Sequence, residues 1–327
     1  MRLIVGVDLG GTSIVVGTMA EDGSALWGEV SEPTPVALGP DAVIGRMVAM
    51  VGESLARTRQ ALGTDRLDIA GVGVGAPGPL DTDRGIVIVA PNLGWRDLPL
   101  RDRIADGTGL TATLDNDANC ATLGEWWQGA ARGGRVVIGL TIGTGIGGGI
   151  VLDGQIFHGA SDVAAEFGHM TVDVTGRRCK CGNYGCLEAY ASGPAIAARA
   201  VEDLEAGTPS AIPTYVDGDL TKVTAQTVYQ AAHDGDPFAL DVVRETARFL
   251  GAGIANLVNV LNPDVVVVTG GVTKAGDRLF GPLRIDVARR AFKPAVDACR
   301  IVPGTLPGTA GVVGAVAAFK VQHWGAV

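Results

Sequence analysis

The sequence predicts an α/β protein built from two similar domains, and three observations support this fold class. Short apolar runs of strand length alternate with longer stretches whose apolar residues recur at helical spacing. Several runs end in glycine turns, and the chain holds 49 glycines among its 327 residues, about twice the usual share. Residues 4–19 read as strand, glycine turn and strand, and residues 137–152 repeat this design.

The first third of the chain alternates strands and helices, beginning with two apolar strands around Gly10-Gly11. Pro40-Asp41 then gives a helix start signal ahead of apolar residues at helical spacing. The segment 75–79, Gly-Ala-Pro-Gly-Pro, is incompatible with regular structure. The predicted strands here are 3–7, 14–19, 69–74 and 111–114, and the predicted helices are 41–62, 100–104 and 118–131.

The rest of the chain continues the alternation of strands and helices. A buried strand leads into a glycine turn at 143–149 and returns as a second strand. The long helical stretch 237–260 carries enough apolar residues to be largely buried. The predicted strands are 136–142, 150–152 and 265–269, the predicted helices are 194–204, 224–232, 237–260 and 310–321, and 206–223 is a predicted loop.

Charge and hydropathy exclude several classes of protein. Asp and Glu number 35 against 26 Lys and Arg, with no run of four basic residues, which argues against a duplex-binding face. The apolar stretch 310–319 is shorter than the roughly 20 residues that span a bilayer. Asp8 interrupts the first apolar run and no small-residue cleavage site follows, which argues against a signal peptide. We expect a cytoplasmic protein that binds neither nucleic acid nor membrane.

Three glycine turns could present backbone N–H groups to phosphate oxygens. The first, at 8–12, adds the Thr12 hydroxyl as a donor and the Asp8 carboxylate as a candidate Mg²⁺ ligand through water. The second runs from 143 to 149, and the third, Gly270-Gly271, ends a buried strand against which a flat ring or ribose could lie. The alternative for each is an ordinary tight turn, and for the first a surface aspartate.

The second turn contains the dinucleotide-binding string GxGxxG at Gly143, Gly145 and Gly148, so an NAD-dependent dehydrogenase is an alternative. That fingerprint requires a helix to open at the third glycine. Residues 150–152 read as a strand instead, which favours a phosphate-binding β-hairpin. No Gly-Lys-Ser or Gly-Lys-Thr occurs, so the Walker A pattern is absent.

A cysteine and histidine cluster has the spacing of a metal site. Its members, here called the metal cluster, are His169, Cys179, Cys181 and Cys186. One imidazole and three thiolates form the closed tetrahedral set that structural Zn²⁺ prefers. Cys179 and Cys181 are too close for a comfortable disulfide with each other. The alternative is a set of free thiols beside an unrelated histidine, and Cys120 and Cys299 are expected to be small buried apolar residues.

Carboxylates stand at positions suited to hydroxyl chemistry. Asn116-Asp117 follows a predicted strand and precedes a helix, where either residue could cap the helix. An aspartate there could also take the proton of an attacking hydroxyl, as in kinases, and one residue can serve both purposes. Glu166 and Glu188 bracket the metal cluster, and carboxylate oxygens accept hydrogen bonds from sugar hydroxyls.

These motifs together resemble the ROK (repressor, open reading frame, kinase) family, in its glucokinase branch, over nearly the whole chain. They are DLGGT at 8–12, GAPGP at 75–79, PNLGW at 91–95, LDNDAN at 114–119, GTGIGGGI at 143–150, EFGHM at 166–170 and CKCGNYGCLE at 179–188. The resemblance implies a two-domain actin/hexokinase-type (ribonuclease H-like) fold with the active site in the interdomain cleft. It also implies a small domain of residues 1–117 plus 309–327 and a large domain of 118–308 that carries the zinc loop.

The resemblance further implies an ATP-dependent kinase that phosphorylates the 6-hydroxyl of glucose, with Asp117 as catalytic base. The implied sugar-binding residues are Asn92, Asn116, Asp117, Glu166, His169 and Glu188. The implied nucleotide-binding residues are Asp8, Gly10, Gly11, Thr12, Gly143, Thr144, Gly145, Gly270 and Gly271. The implied cofactors are ATP with Mg²⁺, and structural Zn²⁺ on the metal cluster, whose histidine would use one ring nitrogen for zinc and the other for sugar.

Alternatives within the family stay open. One is a kinase for N-acetylglucosamine, N-acetylmannosamine, mannose or fructose, or one that uses polyphosphate as donor. Another is a sugar-sensing repressor, which is disfavoured because the first strand begins at Leu3 and leaves no room for a preceding DNA-binding domain. A homodimer or homotetramer is expected, and Trp126-Trp127 are candidates either for that interface or for ordinary packing.

Overall fold

The computed structural model describes residues 1–327, and helices and strands alternate along the chain. The strands are β1 (Arg2–Leu9), β2 (Ser13–Ala20), β3 (Leu26–Pro33), β4 (Asp68–Ala76), β5 (Leu80–Asp81), β6 (Ile86–Ala90), β7 (Trp95–Leu98), β8 (Ala112–Asn116), β9 (Val136–Ile142), β10 (Ile146–Leu152), β11 (Gln155–Ile156), β12 (Val265–Gly270) and β13 (Arg300–Pro303). The helices are α1 (Pro40–Leu62), α2 (Leu100–Thr108), α3 (Asp117–Trp127), α4 (Glu188–Ala191), α5 (Gly193–Glu205), α6 (Ala225–His233), α7 (Pro237–Leu261), α8 (Asp277–Arg290), α9 (Lys293–Ala298) and α10 (Ala310–Trp324). None of the helices is both long and apolar enough to span a bilayer.

The chain divides into two compact units. The first comprises Met1–Arg135, Gly149–Ala165 and Thr305–Val327, and the second comprises Val136–Gly148 and Glu166–Gly304. This division differs from the predicted boundaries, which assigned all of 118–308 to one domain. Helix α3 belongs to the first unit because it packs closely on α10: a side chain at Gly314 would overlap the backbone of Cys120.

The first unit contains a mixed sheet in the order β3-β2-β1-β4-β8. β1 pairs antiparallel with β2 and parallel with β4, and β4 pairs parallel with β8. In this register Asp8 lies opposite Gly75, and Ala76 lies opposite Asn116. Because parallel strands end at the same edge of a sheet, the chain brings the first glycine turn and the Asn116-Asp117 segment to one edge.

The two faces of this sheet are covered by different helices. Val5 and Val7 of β1 belong to a buried cluster with Met47 of α1. The neighbouring Ile4 points to the opposite face and packs with Phe319 of α10, as the period-two alternation of a strand requires. Helix α10 approaches so closely that a Cβ at Gly73 of β4 would overlap the helix backbone at residue 315. Some of the glycine excess therefore serves close packing and not turns.

A second five-stranded sheet has the order β11-β10-β9-β12-β13. β12 pairs parallel with both β9 and β13, and the chain passes from the second unit to the first within β10. The order matches that of the first sheet, strand for strand. The predicted internal repeat is therefore confirmed at the level of topology.

Several predicted elements need correction. The glycine turn predicted at 143–149 is shorter, because β10 begins at Ile146 and takes up the last three glycines. The predicted loop 206–223 contains two short 3₁₀ segments, Ile212–Val216 and Leu220–Lys222. Strands β3, β5, β6, β7, β11 and β13 and helices α4, α8 and α9 were not predicted. α8 carries Pro282 inside it, and proline is a poor helix signal.

The remaining cysteines and the two tryptophans occupy ordinary packing positions. Cys120 is buried as predicted, whereas Cys299 is only partly buried. The Trp126 Nε1–H donates to the Gly134 carbonyl at 2.9 Å. The Lys320 ammonium lies 4.8 Å from the centre of the Trp127 ring. Both tryptophans therefore have packing partners within the first unit, and a role at an interface stays a prediction.

A buried carboxylate fastens α3 to the segment that precedes α10. Glu125 is 1% exposed. Its Oε2 accepts from the backbone N–H of Ala130 at 2.8 Å and of Thr305 at 3.0 Å, and its Oε1 accepts from Leu306 at 2.9 Å. All three donors are main-chain N–H groups. Where the chain bends, the Glu125 carboxylate supplies the acceptors that carbonyl groups supply within a helix or a strand.

We expect Glu125→Ala to lower the free energy of unfolding by about 3 kcal/mol or more, because three buried N–H groups lose a charged acceptor. Urea unfolding followed by far-ultraviolet circular dichroism would measure the loss. Glu205→Ala, on an exposed part of α5, is the matched control and should stay within about 0.5 kcal/mol of the wild type. Equal stability of the two variants would contradict the fastening role of Glu125.

Candidate active site

Asn116 takes the capping role that was predicted for either Asn116 or Asp117. The Asn116 Oδ1 accepts from the backbone N–H groups of Ala118 at 2.9 Å and Asn119 at 3.1 Å, so Asn116 is the N-cap of α3. Asp117 is the first residue of the helix, and its Oδ1 accepts from the Ala118 N–H at 2.8 Å. The positive end of the helix dipole favours a carboxylate there. The Asp117 carboxylate is therefore held at the start of α3, at the sheet edge.

Asp8 lies close enough to Asp117 for the two charges to interact. Burial, and then the Asp117 carboxylate, raise the pKa of Asp8 to about 7. The carboxylate of Asp8 occupies space that a side chain at Gly311 would fill. Two neighbouring carboxylates in a confined space favour a proton or a divalent cation between them. This part of the first unit is chemically suited to hold Mg²⁺.

The raised pKa of Asp8 predicts how the free energy of unfolding depends on pH. Between about pH 4 and pH 7 the folded protein keeps a proton that the unfolded chain has released, so stability falls as pH rises through that window. In Mg²⁺-free buffer at pH 8 we expect Asp8→Asn to be more stable than the wild type by roughly 2–4 kcal/mol. The difference should shrink towards pH 4, where the folded wild type keeps its proton and the unfolded chain begins to regain its own.

Urea unfolding at pH 4.5 and pH 8 would measure this difference. Asp106→Asn, on the exposed face of α2, is the matched control and should show no gain at either pH. A variant at Asp8 that is less stable than the wild type at pH 8 would contradict the assigned burial cost.

The first glycine turn lies near Asn92. The Gly10 N–H donates to the Ser13 carbonyl at 2.9 Å, which closes the turn between β1 and β2. A Cβ at Gly11 would come within 3.5 Å of the Asn92 Cβ. Gly11, Thr12 and Asn92 are all exposed. The predicted phosphate turn and one predicted sugar-binding residue are thus brought together at the surface of the first unit.

In the second unit Glu188 contacts the second glycine turn. Its Oε2 accepts from the Ile146 N–H at 2.9 Å, and a Cβ at Gly145 would lie 2.5 Å from that oxygen. Gly143 is held from two sides, since its N–H donates to the Gly145 carbonyl and its carbonyl accepts from the Gly193 N–H, both at 2.9 Å. The turn leads into a strand and not a helix. The geometry that a Rossmann fingerprint needs is therefore absent, as predicted.

Glu166 and His169 lie at the ends of one short 3₁₀ turn, Phe167–His169. The His169 Nε2 is 3.9 Å from the Glu166 Oε2. Burial raises the pKa of Glu166, His169 opposes the shift, and Glu188 adds to it. The three predicted sugar-binding residues of the second unit therefore share one local environment.

The metal cluster assembles as a compact donor set. Its four ligand atoms lie within 4.8 Å of one another. The Cys181 and Cys186 sulfurs are 3.7 Å apart, and the Cys179 sulfur is 3.9 Å from the His169 Nδ1. Zn–S bonds of about 2.3 Å at a tetrahedral centre separate two sulfurs by about 3.8 Å. The residues present fit a tetrahedral zinc ion, and the His169 Nε2 stays on the Glu166 side.

Thiol acidity in the metal-free cluster differs from one cysteine to the next. Burial, followed by the neighbouring thiols, raises the pKa of Cys186 to about 12. Burial also raises the pKa of Cys179, whereas a hydrogen bond from the Asn183 backbone lowers that of Cys181. Three thiolates at this spacing repel one another without a positive charge among them. A divalent metal would supply that charge and displace the thiol protons.

The second unit also contains a pocket of about 600 Å³ beside the second and third glycine turns. β12 pairs with β9 so that Gly270 lies opposite Ile142, which brings Gly271 to the same pocket as Gly143. Other wall residues that were not predicted include Pro194, Ile196, Gln226, Tyr229, Val272 and Lys274. A mostly apolar pocket of this size suits a flat heterocycle.

Comparison with known proteins places these features in a family. The ROK family model matches residues 4–322. A glucokinase of Halalkalibacterium halodurans is 39% identical over 96% of this chain and 93% of its own length. A glucokinase of Thermotoga maritima is 37% identical over 97% of both chains. A putative xylose repressor of a Caldicellulosiruptor species is 33% identical over 96% of this chain but 77% of its own.

One solved structure carries both ligand types. It is a ROK family glucokinase from Streptomyces griseus in complex with glucose and AMPPNP, with a TM-score of 0.82 and 35% identity, over 96% of this chain and 98% of that one. A ROK hexokinase from Thermus thermophilus has a TM-score of 0.76 and 33% identity, over 98% and 99% of the two chains.

Proposed function

Because this chain belongs to the ROK family and shares its actin/hexokinase-type fold, we propose that it is an ATP-dependent glucokinase. It transfers the terminal phosphoryl group of ATP to the 6-hydroxyl of glucose and releases glucose 6-phosphate and ADP. The observation that carries this proposal is the match to glucokinases over more than nine-tenths of both chains. ATP is made and used inside cells, so we place the activity in the cytoplasm.

Asp117 is proposed as the general base. As the sugar oxygen attacks phosphorus, its O–H bond breaks and the Asp117 carboxylate accepts the proton. Asn116 holds the turn in which Asp117 stands, through its two hydrogen bonds to the start of α3. Asn92 and Asn116 in the first unit, and Glu166, His169 and Glu188 in the second, are proposed to bind the sugar hydroxyls.

The nucleotide is proposed to bind through backbone and apolar contacts. The pocket of the second unit suits the adenosine, with Gly270 and Gly271 at its edge. Gly143-Thr144-Gly145 and Gly10-Gly11-Thr12 offer N–H and hydroxyl donors to the phosphates. Mg²⁺ bound with ATP would neutralise phosphate charge. Asp8 is the proposed ligand of this ion, because burial and the neighbouring Asp117 make the ionised form of the Asp8 carboxylate unfavourable without a cation.

Zinc is proposed as a structural ion on the metal cluster. Three cysteines and one histidine fill a tetrahedral shell and leave no open position for a substrate. The bound ion would supply the charge that keeps the three sulfurs together. It would thereby fix His169 and the start of α4, where Glu188 stands.

The family alternatives differ in the sugar, the donor or the class of protein. A repressor is disfavoured because the two glucokinases, at 39% and 37% identity, are more similar to this chain than the Caldicellulosiruptor repressor, at 33%. Kinases of other hexoses would use the same carboxylate and turns. Self-association as a dimer or tetramer is also proposed, and light scattering of the purified protein would test it.

A coupled assay across sugars and donors tests the proposal. Glucose, mannose, fructose, N-acetylglucosamine and N-acetylmannosamine would each be tried with ATP and with polyphosphate. We expect the highest kcat/KM for glucose with ATP. A clearly higher kcat/KM for another sugar, or activity with polyphosphate alone, would replace glucokinase by that alternative. NAD with glucose should give no absorbance change.

A further inference from the structure

Asp115 is a buried carboxylate beside the proposed base that the proposed mechanism does not use. It is the fourth residue of β8 and 7% exposed. Its Oδ1 accepts from the Asn116 N–H at 2.7 Å and from the Asn119 Nδ2 at 3.1 Å. One oxygen thus fixes both the residue before Asp117 and the first turn of α3. Asp115 was not among the predicted site residues.

The other oxygen of Asp115 is held by a histidine far along the chain. The His158 Nε2 lies 2.9 Å from the Asp115 Oδ2, and both residues belong to the first unit. His158 is the second residue of the segment 157–165, which lies between β11 and Glu166. The Ala164 N–H donates to the His158 carbonyl at 3.1 Å, which folds this segment into a compact loop.

A second side chain fastens the same loop. The Asp162 Oδ2 accepts from both the N–H and the hydroxyl of Thr82, each at 2.9 Å. Asp162 has a φ of +57°, a backbone conformation that non-glycine residues adopt only when the surroundings hold it. The loop is therefore fixed at two points, one of which is the carboxylate that sets the Asn116-Asp117 turn.

The charges around His158 favour its protonated form. The hydrogen bond with Asp115 raises the pKa of His158, burial opposes the shift, and the Asp115, Asp162 and Asp83 charges add to it. These three carboxylates come from β8, the loop itself and the turn after β5. The hydrogen bond between His158 and Asp115 has its full charge-assisted strength at low pH, where His158 is protonated. That added strength is lost as pH rises through the raised pKa of His158.

We propose that His158 is a positioning residue for phosphoryl transfer: its Nε2–H holds Asp115, and Asp115 in turn holds the backbone at Asn116 and so aims Asp117. The inference rests on the proposed function, because it gives His158 a part in that reaction. His158 touches no reacting atom in this role. It acts through geometry, and a small displacement of a catalytic group can slow a reaction by about 10²-fold.

Three variants separate this role from plain stability. His158→Ala removes the donor, His158→Gln supplies an amide N–H in its place, and Asp115→Asn removes the acceptor charge. We expect His158→Ala and Asp115→Asn each to lower kcat by about tenfold or more, with KM for ATP unchanged. The double variant should be no slower than the worse single variant, since both break one chain of contacts.

Recovery of kcat in His158→Gln and the pH dependence of kcat distinguish the positioning role from a purely structural one. We expect His158→Gln to recover kcat to within about threefold of the wild type. The wild type should lose kcat on the alkaline side, above the ordinary histidine range, and His158→Gln should lack that limb. His233→Ala, an exposed histidine at the end of α6, is the matched control and should behave as the wild type.

Failure of the inference is distinct from failure of the proposed function. If the wild type phosphorylates no sugar, the proposed function is wrong. If it is active and His158→Ala folds with kcat within twofold of the wild type, the positioning role is wrong. Equal losses in His158→Ala and His158→Gln, each matched by an equal fall in melting temperature, would also overturn it. If His158→Ala does not fold, the kcat of Asp115→Asn and the pH profile of His158→Gln test the positioning role instead.

Discussion

Asp117→Asn is expected to lower kcat for glucose phosphorylation by about 10²–10⁴-fold. The amide keeps the size of the side chain and can still accept from the Ala118 N–H, so α3 should keep its first turn. What it loses is the ability to take the proton of the sugar 6-hydroxyl. KM for glucose should change by much less than kcat, because the proton is transferred in the transition state and not on binding.

The same steady-state assay on Asp106→Asn provides the control. Asp106 is an exposed aspartate of the first unit and contributes no group to the proposed site. Its kcat and KM should equal those of the wild type. If Asp117→Asn retains a kcat within about threefold of the wild type, another group is the base and the proposed mechanism fails.

Loss of the metal cluster is expected to have the second-largest effect. Cys186→Ser replaces a fully buried sulfur ligand, and serine is a poor zinc ligand. We expect zinc content to fall from about one ion per chain towards zero and kcat/KM for glucose to fall by about 10²-fold or more. The physical reason is positional, since His169 and Glu188 would lose the ion that orders their segment.

Metal analysis of the purified protein, alongside the kinase assay, would measure both effects. Cys299→Ser is the matched control, because this thiol is partly buried and lies outside the cluster. It should keep its zinc and its activity. Active wild-type protein that contains no zinc would refute the structural-zinc proposal, as would full kcat/KM for glucose in zinc-free Cys186→Ser.

Local signals in the sequence predicted much of this molecule. The strand and turn pattern around Gly10 and Gly143 predicted two sheets of one design, because tight glycine turns and apolar runs are properties of adjacent residues. The spacing of the metal cluster predicted its assembly for the same reason, and its donors do lie together. Asn116-Asp117 was predicted at a helix start and stands there.

What could not be predicted depends on contacts between distant residues. The partner of Asp115 is His158, 43 positions away, and nothing near either residue indicates the pairing. The walls of the pocket come from α5, α6 and the segment after β12, which only the folded chain brings together. Short or polar elements such as β5 and α8 were missed because their apolar pattern is weak and neighbours decide their structure.

Helix α10 bears on the order in which the protein acquires its structure during synthesis. It covers Ile4 and Met19 of the first two strands, yet it is made only after the whole of the second unit. At ribosomal speeds of about 5–20 residues per second, that face of the sheet stays uncovered for roughly 15–60 s. The second unit can therefore finish first, while the face of the first sheet that α10 covers is still exposed.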